Sequence, residues 1–432
     1  MLFFQNSLIT YKADNMLHRL DGTEMKVAYV GNIINHGFPL AAWGTGFLIT
    51  LSEQPVVESV EVFCPEKDVV EQPVRYPPNL VVRPLIEYGN PFSVLSVIES
   101  IRHGNYDIVI FNLNATSLGD RNLLNLMVLA MPWIVSRLLR IKTFLIYHSS
   151  VLTTDIKRLG YNSWYNQIRM SIVKSIEALL FSSVDTYVLL KLYKTKIDHK
   201  IKRNKVHFLS IAYVEAIPTL FFNYGNEIPG SIAISGRSSG PIILLHGFWG
   251  PQKNLELALE SLDLLRKEGF KFKVILSGGI NPHFTEYLPN FESIVKKYDG
   301  VIDELRGFVN EKEILNLFEA TDLLLLPYKV AGGHSGVLEI GFFFETNVIC
   351  VTHPEYDEKR VFMNKFLSLV DEQSFVNAVR EAITNWRPSS GRSVDAATKL
   401  HLLGKCISTL IDPLQHEKGN IDWLEIARLE GQ

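Results

Sequence analysis

From Met25 onward, short runs of β-branched and other apolar residues alternate with longer segments whose apolar positions recur at helical spacing. That alternation predicts an α/β fold with parallel sheets covered by helices on both faces. The first half offers strands at 26–30, 60–63, 108–111, 144–147, 187–190 and 206–209; the second offers 242–245, 273–276, 323–326 and 348–351. Two doubly wound, Rossmann-like units follow from that series. The apolar stretch 123–135 contains Pro132 and is shorter than the roughly 18–20 residues a membrane span requires, so it reads as a buried helix.

The breaks in the pattern set the expected domains. Residues 217–240 are rich in Gly, Pro, Asn and Ser and read as a linker between an N-terminal domain at 25–216 and a C-terminal domain at 241–390. Residues 391–432 are expected to form a tail with a helix near Trp423. Residues 1–24 mix charges into apolar positions without the order of a signal peptide, so they read as an extension outside the fold or as sequence upstream of the true start.

Two short patterns imitate chemistry. Gly236-Arg237-Ser238-Ser239-Gly240 matches a nucleophile elbow, but it precedes a strand, whereas an elbow must follow one. Gly44-Thr45-Gly46 lacks the third glycine of a dinucleotide fingerprint and reads instead as a place of close helix packing.

Composition narrows the class. The 432 residues are 47% hydrophobic and 21% charged, enough apolar content for two ordinary cores and too much for a disordered chain. Cys64, Cys350 and Cys406 lie far apart without CxxC spacing, which indicates neither a disulfide framework nor a cysteine metal site and fits a reducing, cytoplasmic setting. No D-x-D, H-E-x-x-H or His/Cys cluster occurs, so the sequence calls for no metal.

The chemistry concentrates in two elements about eighty residues apart. In Ile242 to Leu259 a strand leads through Gly247, Phe248, Trp249 and Gly250 to Gln252-Lys253-Asn254 and then to an amphipathic helix, which places an ammonium at a strand's carboxyl edge. In Gly332-Gly333-His334-Ser335-Gly336-Val337-Leu338-Glu339, small residues open a helix whose unpaired amides bind anions. Together the two would hold a diphosphate. The bland readings are a surface lysine for Lys253, capping residues for His334 and Ser335, and a solvated helix glutamate for Glu339.

The order of these elements resembles the GT-B glycosyltransferases of the large retaining group, whose members include sucrose, trehalose and glycogen synthases. The likeness spans most of 25 to 386 and is strongest from 242 to 352, where the lysine loop, Ser277-Gly278-Gly279, Leu305-Arg306-Gly307-Phe308-Val309, Ala320-Thr321-Asp322 with Leu326-Pro327-Tyr328, and Ser335-Gly336-Val337-Leu338 keep family order and spacing. The resemblance implies two Rossmann-like domains facing across a cleft, an acceptor-binding domain followed by a donor-nucleotide domain, and a tail returning to the first. It implies donor contacts from Gly247, Lys253, Phe308, Val309, His334, Ser335, Gly336, Val337 and Glu339. It also implies catalytic roles for Lys253 and for His148 at the end of a strand, with Gly31 and Gly37 lining the opposite wall. A lone strand-end histidine is equally a satisfied structural group, and the two glycines are equally turn residues.

Two departures stand out. Many members carry an arginine five residues before the lysine, where this chain has Phe248. Their pair of glutamates falls here on Gly332 and Ile340, with Glu339 one residue early, a pattern closer to the Ser-Gly-Val-Leu subgroup.

The resemblance implies a nucleotide-diphosphate sugar as donor substrate, no cofactor, and transfer of a hexose with retention. When the anomeric bond breaks, negative charge grows on the leaving diphosphate, so fixed donors there assist most. A non-catalytic GT-B partner subunit that binds nucleotide or glycan is the alternative from another class, and a sugar-nucleotide epimerase is a more distant one. Residues 137–205 carry fourteen Lys/Arg against four Asp/Glu in a chain of net charge −3. That segment reads either as a solvated basic face or as a patch for the anionic cytoplasmic face of a membrane, where a glycan or polyprenyl-phosphate-linked acceptor would be met. Nucleic-acid motifs are absent.

Overall fold

A computed structural model describes residues 24–33, 39–66, 76–87, 89–114, 122–153, 164–210, 240–307, 309, 311–330, 335–357, 367–387 and 421–422. The chain divides into two compact units, Met1–Thr154 with Tyr165–Asn223 and Asp395–Gln432, and Asp155–Trp164 with Tyr224–Val394. Each contains one parallel sheet. Residues 1–23, 217–239 and nearly all of 391–432, which include the expected extension, linker and tail, lie outside the described residues.

The first unit runs β1 (Met25–Gly31), α1 (Pro39–Ser52), β2 (Val57–Pro65), β3 (Leu80–Ile86), α2 (Ser93–His103), β4 (Ile108–Leu113), α3 (Asn122–Arg137), β5 (Lys142–Tyr147), α4 (Trp164–Ser183), β6 (Asp185–Val188), α5 (Lys191–Lys200) and β7 (Val206–Ser210). Its strands order as β7-β6-β5-β4-β1-β2-β3, all parallel. A two-residue β14 (Ile421–Asp422) pairs with Leu209 and Ser210 at the β7 edge. One face of the sheet packs on α1 through Phe47, Leu48 and Leu51. The other packs on α2, α3, α4 and α5 through Val97, Leu124, Leu180 and Tyr193. The apolar stretch with Pro132 is α3, and it buries Leu124, Val128, Leu129, Met131 and Val135.

The second unit runs β8 (Ile242–His246), α6 (Leu255–Lys267), β9 (Lys273–Ser277), α7 (Leu288–Lys297), β10 (Glu304–Arg306), α8 (Glu311–Glu319), β11 (Leu323–Leu326), α9 (Gly336–Phe343), β12 (Asn347–Val351), α10 (Pro354–Asp357), β13 (Leu367–Val370) and α11 (Phe375–Asn385). Its parallel order is β10-β9-β8-β11-β12-β13. β11 is four leucines, each buried, as a strand covered on both faces should be.

In both sheets the chain leaves the first strand to one side and later returns to its other flank. The order therefore reverses between β1 and β4 in one unit and between β8 and β11 in the other. Loops diverge at such a reversal, and the crevice beyond the strands' carboxyl ends is where open α/β sheets bind ligands.

Four strands escaped the sequence pattern, among them the two-residue β14, which pairs at the β7 edge in a tail expected to be helical. β3 carries Arg83 and Pro84 and is half exposed at a sheet edge, where a missing N–H is tolerated. β10 is an edge strand of three residues, and β13 an edge strand of four. The segment expected at 187–190 begins instead at Asp185, because Leu189 and Leu190 spend their hydrophobicity at the entry to α5 rather than in the ladder.

Candidate donor-binding site

The second reversal point is built from the ends of β8 and β11. After His246 the chain turns at Gly247, whose φ of +140° suits glycine, and lies against Gly278, whose φ is +102°. A side chain at Gly278 would collide with the Gly247 carbonyl, its Cβ falling 1.9 Å from that oxygen. The two glycines thus let the loops after β8 and β9 touch. The chain continues through a 3-10 turn, Pro251–Lys253, and Asn254 in the left-handed region at φ 49° before α6 begins at Leu255.

This path delivers the Lys253 ammonium over the ring of Tyr328, 3.5 Å from its centroid. Tyr328 follows β11 and is buried, and the Lys329 amide donates to the Gln252 carbonyl at 2.9 Å, tying the two loops together. Burial lowers the Lys253 ammonium to a pKa of about 7. The ring face offers it a cation–π contact. Burial raises the Tyr328 phenol, Cys350 nearby adds to that, and the Ser335 hydroxyl pulls the other way. The Tyr328 hydroxyl itself makes no hydrogen bond of regular geometry among the described residues.

Helix α9 starts at the same place. Ser335 is its N-cap, in extended conformation, and its Oγ accepts from the Leu338 amide at 3.4 Å. That bond uses one of the four free amides of the first turn. A Cβ built on Gly247 would lie 3.7 Å from Val337 Cγ2 and 3.9 Å from Tyr328 Oη. Gly247, Lys253, Ser335 and Val337, with Gly336 between the last two, are therefore gathered around one tyrosine.

Val309 is buried beyond β10, while Phe308 and His334 lie outside the described residues. Glu339 belongs to the α9 backbone. Capping and anion binding coexist at this helix start, because Ser335 takes the Leu338 amide and leaves those of Gly336 and Val337 facing outward from the helix end.

His246 was not singled out by sequence pattern. It ends β8, is buried, shares a 2.7 Å hydrogen bond between Nδ1 and Ser277 Oγ, and meets the edge of the Phe318 ring. Burial first, and then the charge of Lys253, lower its pKa to about 4, so it stands neutral beside the ammonium. Tyr328 was legible only as the last residue of Leu326-Pro327-Tyr328, with nothing in the pattern to mark it as the platform for Lys253.

In the first unit His148 follows β5, one strand beyond the reversal point, and reaches Asn112 at the end of β4. Asn112 Nδ2 donates to Tyr29 Oη at 2.7 Å, so Asn112 Oδ1 is left to accept, and His148 Nε2 lies 2.5 Å from it. The ring is therefore protonated on Nε2. Burial lowers its pKa to about 3, and it is neutral at ordinary pH. The bond to Asn112 satisfies the structural reading of a strand-end histidine. Gly31 is the last residue of β1, with an ordinary negative φ, and not a turn glycine; its lack of a side chain leaves room for the Asn112 backbone. Gly37 lies outside the described residues. Gly44 is indeed a close-packing position, since a Cβ there would fall 2.6 Å from Tyr29 Oη. Of the elbow-like pentapeptide only Gly240 is described, ahead of β8.

No family model matches the chain, and no curated protein is significantly similar to it in sequence. Solved structures are another matter. Sucrose-phosphate synthase from Thermosynechococcus elongatus superposes with a TM-score of 0.62 at 13% identity, covering 95% of this chain and 99% of that one. WaaG, a glycosyltransferase involved in lipopolysaccharide biosynthesis, gives 0.54 at 13% identity, with 90% and 95% covered. HepE from Anabaena, solved in complex with UDP and glucose, gives 0.53 at 12% identity, with 94% and 98% covered.

The fold is GT-B. The GT-B likeness runs through both sheets rather than one, as the coverage of each chain requires. Among the described residues of this GT-B chain, no three His, Cys, Asp or Glu side chains group as metal ligands, and no helix is long and apolar enough to cross a membrane.

Proposed function

We propose that this protein is a retaining glycosyltransferase that moves a hexose from a nucleotide-diphosphate sugar to a glycan or lipid-linked acceptor. One observation carries the reading: Lys253, Gly247, Tyr328 and the start of α9 meet at the reversal point of the second sheet. A diphosphate needs a cation and several fixed N–H donors, and this corner supplies both without a metal ion. Lys253 and the amides of Gly336 and Val337 stabilise charge as the leaving diphosphate forms, and the nucleotide binds beside β10, with Phe308 and Val309 at the base. Glu339 takes the ribose hydroxyls.

Retention follows if the acceptor hydroxyl attacks from the face the diphosphate leaves. Its proton then passes to the departing phosphate oxygen, a route that needs no protein nucleophile. His148, neutral at working pH, acts as a hydrogen-bonding group toward the sugar rather than as an acid. Metal independence rests on the lack of a D-x-D sequence together with the cation that Lys253 provides. The basic excess of 137–205 supports peripheral association with an anionic membrane face on the cytoplasmic side, where lipid-linked acceptors are found.

Phe248 favours a second reading. It stands where many GT-B members place a second diphosphate cation, and a chain that had lost turnover while keeping nucleotide binding would look the same there. Incubation with nucleotide sugars separates the readings. An enzyme of this kind leaks some donor to water and releases free hexose, an inert binder shifts its melting temperature without hydrolysis, and an epimerase returns an isomerised sugar.

A further inference from the structure

The longest helix of the first unit, α4, presents an apolar stripe to the outside. Trp164 is 75% exposed, Tyr165 55%, Ile168 54%, Ile172 45% and Leu179 47%. Residues 165, 168, 172 and 179 are spaced by three, four and seven, so they share one side of the helix. The stripe does not arise from loose seating. On its inner side α4 buries Val173, Leu180 and Phe181. It also carries Glu177, a fully buried carboxylate. Glu177 accepts from the Tyr147 hydroxyl at 2.8 Å, the Ser150 hydroxyl at 2.8 Å, the Val151 amide at 2.8 Å and the Leu152 amide at 2.7 Å. Turning the helix to hide the stripe would take a buried carboxyl group away from its four donors and leave them unpaired. The rotation is fixed, and the stripe stays outside.

The surroundings of the stripe are basic. The acidic residue of α4 is the buried Glu177, and its Arg169 and Lys174 are partly exposed. Helices α3 and α5 cover the same face of the sheet as α4. Exposed Arg137, Arg140 and Lys142 close α3 and open β5, and exposed Lys191, Lys200, Lys202, Arg203 and Lys205 line α5 and the turn after it. The nearest acids are already engaged, Asp198 with Lys194 at 2.9 Å and Asp185 with Lys205 at 3.6 Å.

An apolar stripe with Trp and Tyr at one end, bordered by exposed cations, fits the boundary between anionic headgroups and acyl chains. We infer that α4 inserts its Tyr165–Ile168–Ile172–Leu179 stripe into an anionic lipid surface, with the basic ends of α3 and α5 resting on the headgroups. This rests on the membrane association proposed above and names its anchor. Charge alone gives binding that salt reverses, whereas an inserted stripe adds a part that salt does not remove.

Sedimentation with phosphatidylcholine vesicles containing phosphatidylserine tests it, at 0.05 and 0.5 M salt, on the wild type, Ile168→Ser/Ile172→Ser and Lys202→Gln/Arg203→Gln. All substituted positions are exposed, and unchanged melting temperature and donor hydrolysis certify the variants. The wild type should bind at low salt and retain a measurable fraction at high salt. The serine variant should lose at least tenfold in affinity and all of the salt-resistant fraction, and the glutamine variant mainly the low-salt part. Binding that high salt abolishes and the serine changes leave alone overturns the inserted helix but keeps electrostatic association. No binding to any vesicle overturns both. Self-association of the wild type that the serine changes abolish, without vesicle binding, assigns the stripe to a second copy instead.

Discussion

The Lys253 ammonium rests 3.5 Å from the centroid of the Tyr328 ring. A cation held on an aromatic face is positioned without being neutralised, so it remains available to an anion approaching from the other side. Replacing Lys253 with Ala should therefore lower turnover about a hundredfold or more, the usual scale for losing one donor at a developing oxyanion. Steady-state transfer at saturating donor measures it, and near-normal turnover would remove Lys253 from the mechanism.

Tyr328→Phe and Tyr328→Leu should behave differently. The hydroxyl makes no regular hydrogen bond in the described structure, so Phe, which keeps the ring, should leave stability within about 1 kcal/mol of wild type. Leu removes the platform and should cost turnover as well, about tenfold, through a misplaced Lys253. Equal activity in the two variants would show that the ring does not position the ammonium.

The pKa of about 7 at Lys253 makes donor binding pH-dependent. A diphosphate favours the charged form, so binding raises the pKa and takes up a proton. The affinity for UDP-glucose, whose diphosphate does not titrate near neutrality, should be flat below pH 7 and weaken by about tenfold per unit above it, until the pKa of the complex is reached. Titration calorimetry in buffers of different ionisation heat reads both the slope and the proton. A pH-independent affinity between 7 and 9 contradicts the assignment.

His148 works in the opposite range. Its folded pKa of about 3 lies below the ordinary value near 6.5, so between those values the unfolded chain binds the extra proton and acid favours unfolding. Stability should thus fall as pH drops through 6.5 toward 3. His148→Gln can still donate to Asn112 and should flatten that part of the profile, as read by melting temperature against pH relative to wild type. A parallel profile in the variant would mean that His148 is not the buried neutral group.

Glu177 is expected to matter for stability and not for donor chemistry. Removing its carboxylate in Glu177→Ala orphans two backbone amides and two hydroxyls, at a cost of about 3 kcal/mol or more. Denaturant unfolding checks it, and a loss below about 1 kcal/mol would show that the loop after β5 does not depend on that carboxylate.

How legible the molecule was depends on burial. Strands such as β8 and β11 are short, apolar and buried on both faces, so their composition alone marks them. β3, with Arg83 and Pro84, and the brief β10 are edge strands whose partly exposed side chains carry little signal. In the candidate site, Lys253 and Ser335 announce themselves by glycine-rich loops beside strands. Tyr328 and His246 do not, because their roles come from the pairing of β8 with β11, and strand order is not written in local pattern. Glu177 reads in sequence as one more helix glutamate; only the end of β5 at Tyr147 and the loop at 150–152 make it a buried four-fold acceptor. Gly31 looked like a turn glycine because it follows an apolar run, but it ends the strand itself.

The central claim is that one cation and the first amides of α9 share a diphosphate. A structure of the protein with UDP-glucose bound tests it most directly. The expected result puts diphosphate oxygens within about 3 Å of both Lys253 Nζ and the Gly336 or Val337 amide. A diphosphate bound elsewhere, or held with Lys253 still seated on Tyr328 and out of its reach, would contradict the account.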